Sequence, residues 1–392
     1  MPGAAIAETT SGSSRGILLA LEGPQHRHRL YWNEGAMRFV EATIAVPPAR
    51  EGDVVLAAAD FDGDNRVDLF VGNRSIPGRG NGPGSTLLRN DGGVFRDVSS
   101  ERAPSLGRLH TVTDAVWADV TGTGEPDLVI GGEWIPVTIL VNIDGRLQDQ
   151  TQATGISEFT GWWQSVAVTD VNGDDKLDIV AGNLGLNYPY HPTADAPFKL
   201  YANDFGSRGR TMAVPAYHEG GVRYPWFGRT RLAADLPILL QRYPTHDLFA
   251  RATLENVFGT GPLREAQQYE VQTLATTIFK NMGDGRFEPE QLPRAAQISP
   301  VMGIVSGDFN RDGAIDLVLA GNLEEMEANI PKLDAGVGLF LRGDGTGAFQ
   351  PVPPVESGLL LEGRVRRIIR VGNGIVAGVA GGNALHVQIS MH

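Results

Sequence analysis

The chain has 392 residues, 42% of them hydrophobic, with a formal net charge of −13 and no cysteine. That apolar share supports a real core, while the acidic balance disfavours electrostatic binding of nucleic acid or of an anionic membrane surface. The missing cysteines exclude disulfides, thiolate metal sites and cysteine nucleophiles. Gly (50) and Pro (24) are spread along the chain, which suits many short strands joined by tight turns.

Residues 1–15 are expected to form a disordered N-terminal segment, and residues 16–392 one domain. The start, MPGAAIAETTSGSSRG, lacks a basic region followed by an apolar one, so it does not read as a signal peptide. The protein is then either cytoplasmic or a mature or truncated form. No apolar run approaches the length of a membrane span, so no membrane insertion is expected.

Three N-terminal strands are predicted near 16–21, 28–33 and 37–42. The first full unit follows, with strands near 54–59, 67–72, 86–90 and 94–98. Between its first two strands lies DFDGDNRVD, Asp60 to Asp68. The phrase returns as DVNGDDKLD from Asp170 and DFNRDGAID from Asp308, with Asp or Asn at positions 1, 3, 5 and 9. A degraded copy starts at Asp119, with Thr121 and Thr123 at positions 3 and 5 and Asp127 at position 9. A second phrase pairs apolar residues with Asn and Gly: RLYWNEGAMRFVEA, LLRNDGGVFRDV, ILVNIDGRLQDQ and IFKNMGDGRFEP, and with Gly alone in LFLRGDGTGAFQP. These are hairpin signals. Strand, acidic loop, strand, connection and hairpin, repeated at roughly fifty to sixty residues, read as four-stranded antiparallel propeller blades.

Packed carboxylates repel one another unless a hard cation sits among them, and Ca²⁺, with six to eight oxygen ligands, suits such a loop. About three sites are expected. Their ligands are Asp60, Asp62, Asp64 and Asp68; Asp170, Asn172, Asp174 and Asp178; and Asp308, Asn310, Asp312 and Asp316. Position 7 (Arg66, Lys176 or Ala314) would donate a backbone carbonyl. Three bound Ca²⁺ would bring the charge to about −7. An EF-hand is not expected, because position 12 is Val71, Ala181 or Leu319 rather than Glu, and the flanks are β-like. The Asp119 loop should bind weakly or not at all. The candidate at Asp204 has Gly206 and Arg208 at positions 3 and 5, and that cation should exclude metal. Any calcium is expected to fix turns rather than to catalyse.

Residues 228–260 break the strand pattern. Leu232, Leu236, Leu239 and Leu240 fall at helical spacing, as do Leu248, Phe249, Ala252 and Val257. Thr245 is a cap candidate and Gly259 a terminator, which predicts a helical hairpin between Tyr224 and Glu270, centred on about 228–265. Three C-terminal strands are predicted near 365–371, 374–380 and 384–390. If both terminal sets are separate partial blades the propeller has seven blades; if they interleave it has six.

DFDGDNRVDLFVGN and DFNRDGAIDLVLAGN resemble the FG-GAP or VCBS repeats of integrin-α-type β-propellers. GNRSIPGR, LLRNDGGVFRDV, TDAVWADV, GGEWIPV, GWWQS, GNLGLN and PVPPVESG resemble a bacterial group linked to the ASPIC/UnbV domain and related to cartilage acidic protein. The resemblance, over most of residues 28–385, implies calcium in these loops and a secreted, surface or periplasmic location. The chain lacks an ASPIC/UnbV domain and the further upstream repeats usual in that group. A truncated or diverged member, with a ring that closes differently, is therefore expected.

The leading functional reading is a calcium-stabilised module that binds protein or glycan. Its candidate binding loops run from Arg74 to Gly84, Trp134 to Pro136, Trp162 to Trp163 and Asn183 to His191. Trp and Tyr there suit sugar stacking or protein contacts; packing between blades is the competing explanation for Trp162 and Trp163. An enzyme acting on polysaccharide or phosphoester ranks second, with His191, His218, His246 and Asp247 as candidates, but no catalytic motif or HxxxH spacing supports it. A purely structural module of a larger surface protein is the third reading.

Overall fold

The computed structural model describes residues 17–22, 27–33, 38–41, 47, 50, 52–75, 84–324, 332–372 and 374–389. The segment 1–15 and the middle of the 74–84 loop, residues 76–83, lie outside them. The fold is all-β, built mostly of four-stranded antiparallel sheets. A three-stranded sheet opens the chain: β1 (Ile17–Glu22), β2 (Arg27–Asn33) and β3 (Phe39–Glu41). Unit I contains β4 (Asp53–Ala59), β5 (Asp68–Asn73), β6 (Thr86–Asn90) and β7 (Phe95–Asp97). Unit II contains β8 (Val112–Ala118), β9 (Asp127–Pro136), β10 (Thr138–Ile143) and β11 (Arg146–Asp149); the far end of β9 also pairs with β12 (Thr160–Trp162).

Unit III is split. It begins with β13 (Ser165–Thr169) and β14 (Asp178–Gly182). The chain then leaves to build a separate sheet from β15 (Phe198–Asn203), β16 (Met212–Glu219), β17 (Val222–Pro225) and β18 (Gln267–Val271), in the order β17-β16-β15-β18. It returns as β19 (Thr277–Asn281) and β20 (Phe287–Gln291), which complete the order β13-β14-β19-β20. Unit IV contains β21 (Gly303–Gly307), β22 (Asp316–Ala320), β23 (Leu339–Gly343) and β24 (Phe349–Val352). A three-stranded sheet of β25 (Val365–Val371), β26 (Gly374–Val379) and β27 (Leu385–Gln388) ends the chain. The two terminal sheets are separate and do not interleave.

The first strands of successive sheets lie side by side: β4 by β8, β8 by β13, β13 by β21 and β21 by β25. The inserted sheet therefore stands off this succession, since β13 meets β21 directly. The apolar clusters sit between consecutive sheets. Phe70 and Leu87 of unit I meet Leu128 and Ile130 of unit II. Val129 and Ile139 face the other way, toward Ile179 and Phe279 of unit III. Val180 and Ile278 meet Leu317 and Leu341, and Val318 and Phe340 meet Ile375 and Ala377. This explains why DLFVGN, DIVAG and DLVLA do not alternate. Each second strand is covered on both faces and is buried along its whole length. The fourth strands are sheet edges, and Arg96, Asp97, Glu288 and Glu290 there are exposed.

The inserted sheet is also covered on both faces. Met212, Val214 and Tyr201 meet a helical layer through Leu232, Leu239 and Leu254. That layer contains five short helices: α1 (Arg229–Asp235), α2 (Ile238–Arg242), α3 (His246–Ala250), α4 (Leu254–Phe258) and α5 (Thr260–Glu265). Pro237 separates the first two. Thr245 caps α3 by accepting from the Leu248 amide, and Thr253 opens α4 with a reciprocal capping box to Asn256. Gly259, at φ +81°, closes α4. Leu232, Leu236, Leu239, Phe249, Ala252 and Val257 are buried, whereas Leu240 and Leu248 face solvent.

Candidate functional site

The acidic loops share one backbone design. Positions 4 and 6 have positive φ in every copy: Gly63 and Asn65, Gly122 and Gly124, Gly173 and Asp175, Arg311 and Gly313. The position-1 carboxylate holds this turn. Asp60 accepts from the amides of Asp64 and Asn65, Asp119 from those of Thr123 and Gly124, and Asp170 from those of Asp174 and Asp175. Asp308 accepts from Arg311 and Gly313. The loop at Asp204 has the same form, with positive φ at Ser207 and Gly209 and Asp204 accepting from the Arg208 and Gly209 amides.

Position 9 is a buried strap. Asp68, Asp127, Asp178 and Asp316 are each 0% exposed. One oxygen accepts from the amide at position 2 (Phe61, Val120, Val171 or Phe309). The other accepts from an amide at the end of the third strand (Asn90, Asn142, Asn281 or Gly343). Burial pushes the Asp68 carboxyl up to about 7, against the pull of the Asn90 and Phe61 amides. It raises Asp127, Asp178 and Asp316 in the same way. In the Asp204 loop this position is the apolar Met212.

The loops differ at positions 3 and 5. In unit I, Asp62 Oδ1 is buried and has no hydrogen-bond partner. One carboxylate oxygen from each of Asp60, Asp62 and Asp68 lies within 4.8 Å of the others. Burial, then the Asp64 and Asp60 charges, raise the Asp62 carboxyl. Asp64 turns aside to pair with Arg66. In unit III, Asn172 Oδ1 accepts from the Asp174 amide, and Asp174 pairs with Lys176 at 2.9 Å. In unit IV, Asn310 Oδ1 accepts from the Asp312 amide and its Nδ2 donates to Asp312 Oδ2. In unit II, the Thr121 hydroxyl donates to Asp127 at 2.9 Å. The orphaned oxygen of Asp62 makes the unit I loop the best fit to a bound cation, with Asp60, Asp62 and Asp68 as its holders.

The Asn of the hairpin phrase does more than turn the chain. Asn142 Oδ1 accepts from Gly145 N, while its Nδ2 donates to Pro126 O and to Phe61 O in the preceding unit. Asn281 repeats this with Gly283 N, Leu177 O and Val120 O. A hairpin signal was legible in the sequence; the tie between units was not.

A second site lies where the inserted sheet meets β9 and β12. Gly161, Trp162 and Trp163 in GWWQS have three separate roles. A Cβ on Gly161 would lie 2.3 Å from the Trp163 ring, so only glycine fits. Trp163 is wholly buried and donates Nε1 to Ile135 O at 3.1 Å, which is packing between units. A register shift between Gly161 and Trp162 sets Trp162 opposite Glu133, as β-bulges do when they re-aim a side chain. Trp134 has φ +66°, an uncommon backbone state for a bulky residue and a mark of functional sites.

The rings of Trp134, Trp162 and Trp226 surround Phe198, with centroids 5.5, 5.9 and 5.6 Å from it. The three indoles line a cavity of about 880 Å³. Its polar wall holds an ion pair of Arg74 with Glu133 at 2.5 Å, and Arg210 and Arg231 both paired with Asp235. Further along, Tyr190 packs on Tyr217 and Tyr217 on Tyr224, each half-buried. Of the loops singled out in the sequence, the cavity takes in Arg74, Trp134 and Trp162. Trp226, Arg210 and Asp235 were missed: they come from the insertion, and no local spacing connects them to the tryptophans.

The candidate catalytic residues do not form a set. His218 sets Nδ1 against Pro197 O at 2.9 Å, Asp247 pairs with Arg251 at 3.0 Å, and His191 and His246 are exposed. No helix among the described residues is long and apolar enough to cross a membrane.

Residues 17–71 and 119–181 match the family model described as FG-GAP-like repeat. No curated protein matches the chain. Among solved structures, the V. cholerae biofilm matrix protein Bap1 aligns over 98% of this chain and 72% of its own, at 11% identity and a TM-score of 0.34.

Proposed function

We propose that this chain, which carries FG-GAP-like repeats at residues 17–71 and 119–181, is a calcium-stabilised β-propeller working outside the cell or at its surface. The ring has six blades. The direct contact of β13 with β21 supports that count, because it leaves the inserted sheet outside the ring. The first strands converge on a common middle: the Arg367 guanidinium of β25 reaches Asp114 of β8 at 3.1 Å, from the last sheet to unit II. Asp114 also accepts from the Val166 amide of β13.

Calcium sits in the loops of units I, III and IV, where it brings carboxylate and amide oxygens together and fixes the turn. The ligands are those expected from the sequence, with the unit I loop binding most tightly because Asp62 Oδ1 has no other partner. Calorimetric titration of metal-stripped protein should find about three sites; none would overturn this part of the reading.

The propeller acts as a binding module through the cavity between the inserted sheet and β9–β12. The observation that carries this is the convergence of Trp134, Trp162 and Trp226, from three separate parts of the chain, on one cavity of about 880 Å³. That volume lies in the range of about 300–1,000 Å³ usual for small-ligand sites. Defined oligosaccharides and peptides should be screened against the wild type and Trp162→Ala. A ligand held by the wild type and lost by the variant supports the reading. Ligands held equally by both would place the binding face elsewhere.

A further inference from the structure

The geometry points to an acidic saccharide, a glycan segment carrying uronate carboxylates, as the occupant of the tryptophan-lined cavity. This rests on the binding-module reading above and names the chemistry of its ligand. Trp134, Trp162 and Trp226 give the cavity flat apolar surface. The C–H face of a pyranose packs on an exposed indole, and Trp162 is the half-buried, most accessible one of the three. The charged lining is three guanidinium groups, Arg74, Arg210 and Arg231, against two carboxylates, Glu133 and Asp235. An adjoining hollow of about 310 Å³ shares Arg210 and Asp235 and adds Arg208 and Asp204, one charge of each sign. The site therefore keeps a positive excess inside a chain whose net charge is −13. That excess is local, and it matches a ligand that is both ringed and anionic.

The arginines are placed to exchange partners. Arg210 and Arg231 share the single carboxylate of Asp235, and their side chains are 72% and 45% exposed. Exposed ion pairs of this kind contribute little to stability, so a ligand carboxylate can displace Asp235 at small cost. Guanidinium is suited to that exchange because its planar fork meets a carboxylate with two parallel hydrogen bonds. An acidic peptide would meet the same arginines but would make poorer use of the indole of Trp162 on the cavity wall beside them.

The test compares trigalacturonate with its full methyl ester, at one fixed free-calcium concentration, by titration calorimetry. The two differ in charge and hardly in shape. Trigalacturonate should bind at least about tenfold more tightly than the ester, the effect of one good charge-assisted contact. Arg210→Gln, an exposed position whose melting temperature serves as the folding control, should remove that preference by weakening the acid to the level of the ester. Trp162→Ala should weaken both ligands. Equal affinity for acid and ester overturns the acidic assignment while the binding module stands. Capture of an acidic peptide, but of neither sugar, in a manner lost by Trp162→Ala overturns the saccharide assignment alone. Binding of any ligand unaffected by both variants removes the cavity from function, and with it both readings.

Discussion

The loops at Asp60 and Asp204 have the same backbone and opposite side-chain chemistry. In both, the first aspartate accepts from the amides at positions 5 and 6, and positions 4 and 6 have positive φ. Yet Asp60 is followed by Asp62 and Asp64, and Asp204 by Gly206 and Arg208. The turn is thus shared by a copy with a cationic side chain at position 5. In both loops the first carboxylate satisfies amides that would otherwise need water. The copies differ most at positions 3 and 5, and among the described residues unit I presents at position 3 a buried oxygen without a partner.

The largest expected effect tests the strap at position 9. Asp127→Ala leaves the buried amides of Val120 and Asn142 without their acceptor, at about 1–3 kcal/mol each. Urea unfolding should show that loss in calcium and in EDTA alike, since the Thr121–Thr123 loop is the degraded copy; dependence on calcium would make it a metal loop. Counted per site, metal removal comes next. At calcium 100-fold above Kd, each site adds about 2.7 kcal/mol, so EDTA should lower the wild-type melting temperature by several degrees. Asp62→Ala should shrink that shift and Asp119→Ala should leave it whole; an unchanged wild-type melt would refute the calcium proposal. Smaller still is Asp204→Ala, whose turn bonds are exposed to water, with no response to calcium.

The finest test is a change of sign. Asp62→Asn should raise the melting temperature slightly in EDTA, because it removes a partly desolvated charge flanked by Asp60 and Asp64. In calcium the same substitution should lower it. Movement in one direction under both conditions would mean that Asp62 is a turn residue like Asp204.

Much of this was legible from local pattern. The first-unit strands near 54–59, 67–72, 86–90 and 94–98 correspond to β4, β5, β6 and β7 within a residue or two, because apolar runs bounded by Gly-rich turns leave little choice of register. The terminal strands were legible for the same reason. The helical insertion was read as a hairpin of two helices, but Pro237, the Thr245 and Thr253 caps and Gly259 divide it into five. Of the inserted sheet, the sequence showed only the degenerate loop at Asp204. Its strands Phe198–Asn203 and Gln267–Val271 are far apart in sequence and pair across the helices that lie between them. The cavity was hidden for a related reason. Trp134 and Trp162 were flagged as loop aromatics, but the partners that give them a role, Trp226, Arg210 and Asp235, lie in the insertion and carry no motif.

The Asn142 and Asn281 ties run in one direction, each reaching back to the loop of the unit before it. In unit IV the equivalent residue is Gly343, where a Cβ would lie 2.1 Å from Ile315 O, and no side chain reaches back. In a chain of nearest-neighbour couplings, a missing link marks where cooperativity weakens. Units I to III should therefore exchange their amide hydrogens as one block, and unit IV with the C-terminal sheet as another. Partial unfolding would begin at that seam, far from the acidic loop of unit I.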